Sequence, residues 1–454
     1  EVAAEFRKRG TPVVLGGIHA SLRPEEALEH VDYVVVGEAE RTWPLFVEAF
    51  KKGEAPKTMP DGGFPSMDQI PVPAWDRIDN PKFLFHQIQT TRGCPFKCRF
   101  CSVPDISGST FRFKPVEKVV EEIRALPDSG WLKNRMKPLY FVDDNFISRT
   151  RYTKELLRAL VPLHEAGEMV EWSAETTLNV SKDEEMLDLF AAAGCTTVII
   201  GFESISEATL LDMDKKVNFC LSYPEAIERI HSRGMSIVGN FIVGFDTDTL
   251  AVFEEILQFV DDNHILYPFF SILTPMPGTK LHEDFKADDR LDHYDWARYD
   301  TRHVVYDPKH MSRDQLMDGY HYLYEQAYAS ERALNRLESY WQRYRKSGSN
   351  FVERAVIKNK LRPFRKEGTD RFKWLLDAGW ERLLANKGVG DVGQLLYYLD
   401  SGHFVDFLDR YRSDAYEENA KIFAAAGAVT SPEDEVLARK QWEWKKLQVA
   451  AAQT

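Results

Sequence analysis

No run of this sequence is apolar for long enough to cross a bilayer. The longest apolar stretches, Thr196 to Phe202 and Ser236 to Phe245, are strand-sized, where a membrane helix needs about 20 residues. No transmembrane segment is expected. Positive charge is also scarce, 58 Lys and Arg against 71 Asp and Glu, for a formal charge of -13. A general binder of nucleic-acid backbone needs clustered cations to displace counterions, so nucleic acid is not an expected partner, a local basic face aside. The opening EVAAEFRKRG lacks the basic start, apolar run and small-residue cleavage site of a secretory signal, which makes the cytoplasm the expected compartment. Cysteines number only five. An odd count, with three of them between residues 94 and 101, is a poor disulfide framework and points to metal or redox chemistry in a reducing compartment.

What is present is globular in composition. Hydrophobic residues make up 44% and charged residues 28% of 454, a length that accommodates two or three domains at roughly 150 residues each. Residues 1–55 read as helix, strand, Gly-Gly turn, helix, strand, acidic Gly turn and helix. The strands fall at Pro12 to Leu15 and Tyr33 to Val36, the later helices at Pro24 to His30 and Trp43 to Lys51, and such alternation implies a parallel sheet. The chain starts at Glu1 inside an amphipathic helix, so further sequence is expected upstream. Residues 56–84 hold Pro56, Pro60, Pro65, Pro71 and Pro73 around Gly62 and Gly63. They read as a linker, because this composition sustains neither a helix nor a central strand.

Residues 85–286 present six apolar strand candidates: Phe85 to Thr91, Leu139 to Val142, Glu171 to Ala174, Thr196 to Phe202, Met235 to Val243 and Tyr267 to Thr274. Helical spacing marks Val116 to Leu126, Thr153 to Leu163, Asp183 to Ala193 and Val252 to Asp261 between them, with Gly194 and Gly234 placed as helix-ending residues. Six βα units with right-handed crossovers form either a barrel or an open wound sheet, and periodicity does not choose. Residues 287–454 read as mainly helical, through Ser312 to Leu337 and Ala415 to Ala426, with Trp341, Trp374 and Trp380 as helix-packing residues and a substrate box as the alternative.

TTRGCPFKCRFCSVP sets Cys94, Cys98 and Cys101 in a C-x3-C-x2-C arrangement directly after the first of these strands. Thiolates this close in sequence can converge on a soft metal site, and three in place of four suggest an iron-sulfur cluster with one iron open. Structural zinc is the alternative. It ordinarily takes a fourth Cys or His at recognisable spacing, and Cys195 and Cys220 form no such pair. The carboxyl ends of parallel strands are where sites gather in α/β folds.

This segment, including Phe100 before the last cysteine, resembles the signature of the radical S-adenosylmethionine superfamily. The resemblance implies a partial (β/α)6 barrel, a 4Fe-4S cluster on Cys94, Cys98 and Cys101, and S-adenosylmethionine chelating the fourth iron. One electron from the cluster would break the sulfur-carbon bond to give methionine and a 5'-deoxyadenosyl radical, and a donor such as flavodoxin or ferredoxin would supply it. Phe100 would stand beside the cluster. In YFVDDNF, Asp143 and Asp144 resemble the turn that binds the methionine amino group, with an acidic turn or helix cap as the plain alternative. Carboxylates at the ends of apolar strands are costly to bury unpaired, which favours site roles for Glu175 in WSAETTLN and Glu203 in VIIGFES. Glu175 resembles the position that meets the ribose hydroxyls or the ammonium, Glu203 the polar ligand contact of the fourth strand. Lys215 resembles a cation for the methionine carboxylate, or is a solvated helix lysine. Asn240, Ile242 and Gly244 in IVGNFIVGF resemble the glycine-punctuated motif beside adenine, and Leu273 and Pro277 in LTPMPGT the adenine-side contacts of the sixth strand.

VVLGGIHASLRPEEALEHVDYVVVGEAE resembles the second half of a Rossmann-like cobalamin-binding domain that precedes the barrel in one branch of the superfamily. Gly16, Gly17 and Gly37 would let backbone lie against a flat cofactor, or are strand-end turns. The branch's Asp-x-His-x-x-Gly loop does not occur here, so His19 is not assigned to cobalt and cobalamin is an open second cofactor. GFDTDT, LTPMPGTKLHEDF and the segment around MSRDQLMDGYHYLYEQAY resemble hopanoid methylases and their relatives. The implied reaction is C-methylation of a hydrophobic small molecule or lipid. The alternatives are oxidative cyclisation or another hydrogen abstraction without methyl transfer, and a non-catalytic cluster- or corrinoid-binding module.

Overall fold

A computed structural model describes residues 1–77, 85–126, 138–169, 171–218, 222–329 and 415–427, with 332, 333, 335, 336, 339, 340 and 413. Trp341, Trp374, Trp380 and Cys220 lie outside the described residues. The chain divides into two compact units, one of residues 1–198 and 275–287 and one of 199–274 and 288–454. Among the described residues no helix is long and apolar enough to cross a membrane.

The first unit begins with helix α1 (Val2–Lys8) and a small sheet in which β1 (Val14–Leu15), β2 (Tyr33–Val35) and β3 (Thr58–Met59) run parallel in that order. Between β1 and β2 come α2 (Ile18–Leu22) and α3 (Pro24–His30), whose Ala20 and Ala27 bury with Val31 and Val34. Strand β3 lies in the segment expected to be linker. Its prolines flank the strand instead of interrupting it, and pairing needs only the Lys57 and Met59 carbonyls, which accept from the Val34 and Val36 amides at 2.9 and 3.1 Å. Helix α4 (Ala39–Lys52) starts ahead of the expected Trp43 and ends at Gly53, where φ of +73° needs glycine.

The larger sheet of this unit has the order β4 (His86–Ile88), β7 (Leu139–Phe141), β8 (Trp172–Thr176) and the start of β9 (Cys195–Glu203). Strand β7 is parallel to both β4 and β8. Side-chain alternation puts Leu139, Phe141, Trp172 and Ala174 on the face covered by helices, where Phe141, Phe146, Trp172 and Phe190 form one ring cluster. Gln87, Tyr140, Ser173 and Glu175 are left on the other face. The helices are α6 (Val116–Arg124), α7 (Thr150–Glu165) and α8 (Glu184–Ala192), the last capped by Asp183, which accepts from the Met186 amide at 3.0 Å. Two shorter pieces surround the cysteines: an antiparallel ladder of β5 (Thr91–Arg92) and β6 (Arg112–Phe113), and helix α5 (Val103–Ser107). Helix α12 (Lys280–Ala287) also belongs to this unit.

The second unit carries the end of β9, then β10 (Ser236–Val243) and β11 (Tyr267–Ile272), the last two parallel, with helices α9 (Glu207–Asp212), α10 (Tyr223–His231), α11 (Val252–Asp262), α13 (Arg313–Ala327) and α14 (Tyr416–Gly427). Phe202 stacks on Phe241 at 5.3 Å, and Phe241 meets Phe259 of α11 and Phe270 of β11. From α13, the Tyr324 hydroxyl donates to the Phe270 carbonyl at 2.9 Å. With that face filled by aromatic rings, alternation leaves Gly201, Asn240, Ile242, Phe269 and Ser271 on the partly accessible face, Asn240 beside Phe269 and Ile242 beside Ser271.

Candidate active site

In the first unit the cysteines occupy the loop between β5 and β6. Cys98 is buried, Cys94 and Cys101 are half-buried, and none is in a disulfide. Gly93 starts the loop with φ of +87°, and a Cβ there would lie 2.3 Å from the Thr110 carbonyl oxygen, so only glycine fits. Backbone bonds then draw the loop in: the Cys94 amide donates to the Gly108 carbonyl at 3.1 Å and the Cys101 amide to the Cys98 carbonyl at 3.0 Å. Phe100, half-buried, lies in the turn before Cys101. The loop is also tied to α12, since the Leu281 amide donates to the Arg99 carbonyl at 2.9 Å and Arg99 pairs with Asp284 at 2.7 Å.

Asp143 turns inward. It accepts from the Thr90 and Thr91 amides at 2.6 and 2.8 Å and from the Thr90 hydroxyl, joining the end of β7 to the strand that enters the cysteine loop. Burial pushes its carboxyl up to about 7 against the pull of those donors. Asp144 accepts from the Gly93 amide at 3.1 Å, and burial raises it too. The pair thus holds the backbone where it enters the cysteine loop, Asp143 buried and Asp144 partly accessible. Glu175 is exposed on the open face of the sheet and accepts from the Tyr140 hydroxyl at 2.6 Å. Pro277 is half-buried in the turn before α12.

In the second unit Glu203 and Lys215, read singly from the sequence, form one ion pair at 2.8 Å with each side chain 12% exposed. Glu203 holds φ of +62°, an uncommon conformation for a residue with a side chain. Its carboxylate occupies the space above Gly201, where a Cβ would lie 2.3 Å from Oε1. Asn240 and Ile242 are partly accessible. At Gly244, where φ is +99°, a Cβ would lie 2.3 Å from the Tyr306 hydroxyl, which donates to the Gly244 carbonyl. Leu273 is 1% exposed, its amide donating to the Val243 carbonyl. The turn after β10 is closed internally by Asp248, which accepts from the Gly244 and Phe245 amides at 2.9 and 3.0 Å and which burial raises to about 7.

The donor set fits a cluster with three protein ligands. Cys195, at the start of β9, is on the amino end of its strand beside Trp172, whereas the loop follows the carboxyl end of β4. Among the described residues no three His, Cys, Asp or Glu side chains gather closely enough to hold a single metal ion. Ligands to different irons of a cluster need not meet at one point. For a flat corrinoid the fit is partial. Gly16 and Gly17 are exposed and Gly17 has nothing within 4 Å of its Cβ position, but at Gly37 that position is 2.2 Å from Asp61 Oδ1. His19 is exposed and 3.4 Å from Glu26.

The radical SAM superfamily model matches residues 88–260. Over 337 residues the chain is 30% identical to the bacteriochlorophyllide d C-12(1)-methyltransferase of Chlorobaculum tepidum, covering 73% of this chain and 72% of that protein. The chain belongs to the radical SAM superfamily. Members of this superfamily use a 4Fe-4S cluster and S-adenosylmethionine. This radical SAM chain is also 31% identical over 291 residues to the hopanoid C-2 methylase of Rhodopseudomonas palustris, covering 63% of itself and 54% of that protein. Its fold is similar to that of the radical S-adenosylmethionine methyltransferase TsrM from Kitasatospora setae, solved with cobalamin and a 4Fe-4S cluster bound. The TM-score is 0.54 and the identity 21%, with 63% of this chain and 62% of that chain covered.

One residue that supports the cysteine loop left no sequence signal. Glu38, from the turn between β2 and α4, bonds Arg92 and Arg112 at the base of the cysteine loop. Nothing local to residue 38 announces partners 54 and 74 positions away. Tyr140 could have been found by alternation, being the residue of its strand that faces away from Leu139 and Phe141.

Proposed function

We propose that this chain cleaves S-adenosylmethionine reductively at a 4Fe-4S cluster and uses the resulting radical to C-methylate a large hydrophobic small molecule or lipid. The cysteine loop carries the reading: three thiols outside any disulfide, in a backbone-locked loop after the first strand of a βα series. Cys94, Cys98 and Cys101 would hold the cluster, which supplies the single electron that divides S-adenosylmethionine into methionine and a 5'-deoxyadenosyl radical. Glu175, supported by Tyr140, is the proposed polar contact on the open face of the first unit. Asn240, Ile242 and the Glu203–Lys215 pair are the proposed ligand-facing set of the second. Asp143, Asp144, Gly244 and Leu273 support these elements from behind.

Methyl transfer is favoured by the bacteriochlorophyllide and hopanoid methyltransferases among the relatives, and their substrates suggest a polycyclic, mostly apolar molecule. Cobalamin is the proposed methyl carrier, and Gly16 and Gly17 are the residues that would make room for it. A one-electron donor of the flavodoxin or ferredoxin kind and a cytoplasmic location complete the proposal.

The test is anaerobic reconstitution with iron, sulfide and hydroxocobalamin, then product analysis with a bacteriochlorophyllide or a hopanoid as substrate. S-adenosylhomocysteine together with deoxyadenosine and a methylated product is expected. Deoxyadenosine without S-adenosylhomocysteine would favour hydrogen abstraction alone, and no cleavage of S-adenosylmethionine would leave a binding module. Cys98→Ala should lose both the brown absorbance and the cleavage.

A further inference from the structure

The geometry points to Glu38 as a positioning residue that closes the neck of the cysteine loop, giving the amino-terminal segment a part in cluster binding separate from any corrinoid. The role rests on the reading of Cys94, Cys98 and Cys101 as cluster ligands. The loop, residues 93–111, is gathered at its base by two register pairs, Thr91 with Phe113 and Arg92 with Arg112. So short a two-stranded ribbon is marginal by itself. Its second pair also sets two cations opposite one another, which opposes pairing.

Glu38 answers both problems. It stands between β2 and α4, and its Oε2 accepts from Arg92 Nη1 at 2.8 Å and from Arg112 Nη1 at 2.9 Å, while Oε1 accepts from Arg112 Nη2. The side chains of Glu38, Arg112 and Arg92 are only 10%, 14% and 19% exposed, so water screens the set far less than it would a surface pair. Burial opposes ionisation of Glu38, but the Arg112 and Arg92 hydrogen bonds outweigh it and hold the carboxyl below its ordinary value. Arg112 carries the grip into the loop itself, donating to the Ser107 carbonyl at 2.9 Å, and also donates to the Pro65 carbonyl, outside the loop, at 2.8 Å. Glu40 bonds Arg92 at 2.7 Å, and Asp144 bonds the Gly93 amide. Glu38 is what ties the two arginines to each other.

The test uses the full chain and separates the clamp from the cluster. In the iron-free protein, hydrogen exchange is followed at the Cys94 and Lys114 amides, which bond across the neck to the Gly108 and Thr90 carbonyls. Glu38→Gln should speed exchange there about tenfold or more, the scale of one lost charge-assisted hydrogen bond. Asp32→Asn is the control. It removes an ionised contact elsewhere in the same amino-terminal segment, where Asp32 accepts from the Val13 amide and pairs with Arg7, and it should leave both amides at the parent rate. After reconstitution, Glu38→Gln should also lose iron to a chelator about tenfold faster than the parent. Parent-like exchange in Glu38→Gln, or equal acceleration in Asp32→Asn, would overturn the clamp. A parent that takes up no iron would overturn the cluster role, with the exchange result still deciding whether Glu38 closes the neck.

Discussion

Gly93 shows how little room the cysteine loop leaves its own backbone. Its φ of +87° and the Thr110 oxygen 2.3 Å from the Cβ position forbid any side chain. Neither obstacle is a flexible side chain that could move aside. Gly93→Ala should therefore cost roughly 1–3 kcal/mol in backbone strain and lower the iron bound per chain after reconstitution, as checked by thermal unfolding and iron analysis. A second residue-scale consequence concerns pH. Burial raises Asp143 and Asp248 to about 7 from an ordinary 3.8. Between these values the native state binds protons that the unfolded state does not, so these groups make stability fall as pH rises from about 4 to 7, with little further change above. Asp248→Asn keeps an acceptor for the Gly244 and Phe245 amides and has no proton to lose. Its thermal midpoint should depend less steeply on pH across that window than the parent's; parallel curves would mean that Asp248 does not titrate there.

Among the elements, the central strands are the ones the chain announces most clearly. Ser236–Val243 and Tyr267–Ile272 fall within their expected ranges, because a run of apolar residues between turn signals has few other fates. Phe241 explains why β10 holds its place: it is fully buried against Phe202, Phe259 and Phe270. Phe241→Ala should cost about 3–5 kcal/mol, measured by denaturant unfolding, whereas Tyr294→Ala, at an exposed ring, should stay within about 0.5 kcal/mol. The β5–β6 ladder and β3 escaped notice for the converse reason. Each strand has two residues, too few to show any period, and pairing with a distant partner is what makes it a strand. Of the proposed site, the cysteines, Glu175 and Asn240 stand out in the sequence because a chemical residue type falls in a motif or along an apolar strand. The inward turn of Asp143 and the filling of Gly244 by Tyr306 were not, since each depends on which side chain arrives from another element.

For the molecule as a whole, the amino-terminal sheet raises the question of what it contributes. Its Gly16–Gly17 ledge is open while Gly37 is filled by Asp61. Hydroxocobalamin titrated into the full chain should bind with a saturable change in its visible spectrum. If no change occurs, methyl transfer through a corrinoid on this chain fails, and deoxyadenosine without S-adenosylhomocysteine becomes the expected product.

The sequence by itself determined the βα alternation and the spacing of the cysteine triad, because hydrophobic period and residue chemistry are local properties that no fold can alter. Only the tertiary structure decided which polar groups face outward, which carboxylates are consumed in holding the backbone, and that Glu38 reaches the neck of the cysteine loop. Those outcomes depend on burial and on partners brought from far along the chain, and neither quantity exists until the chain has packed.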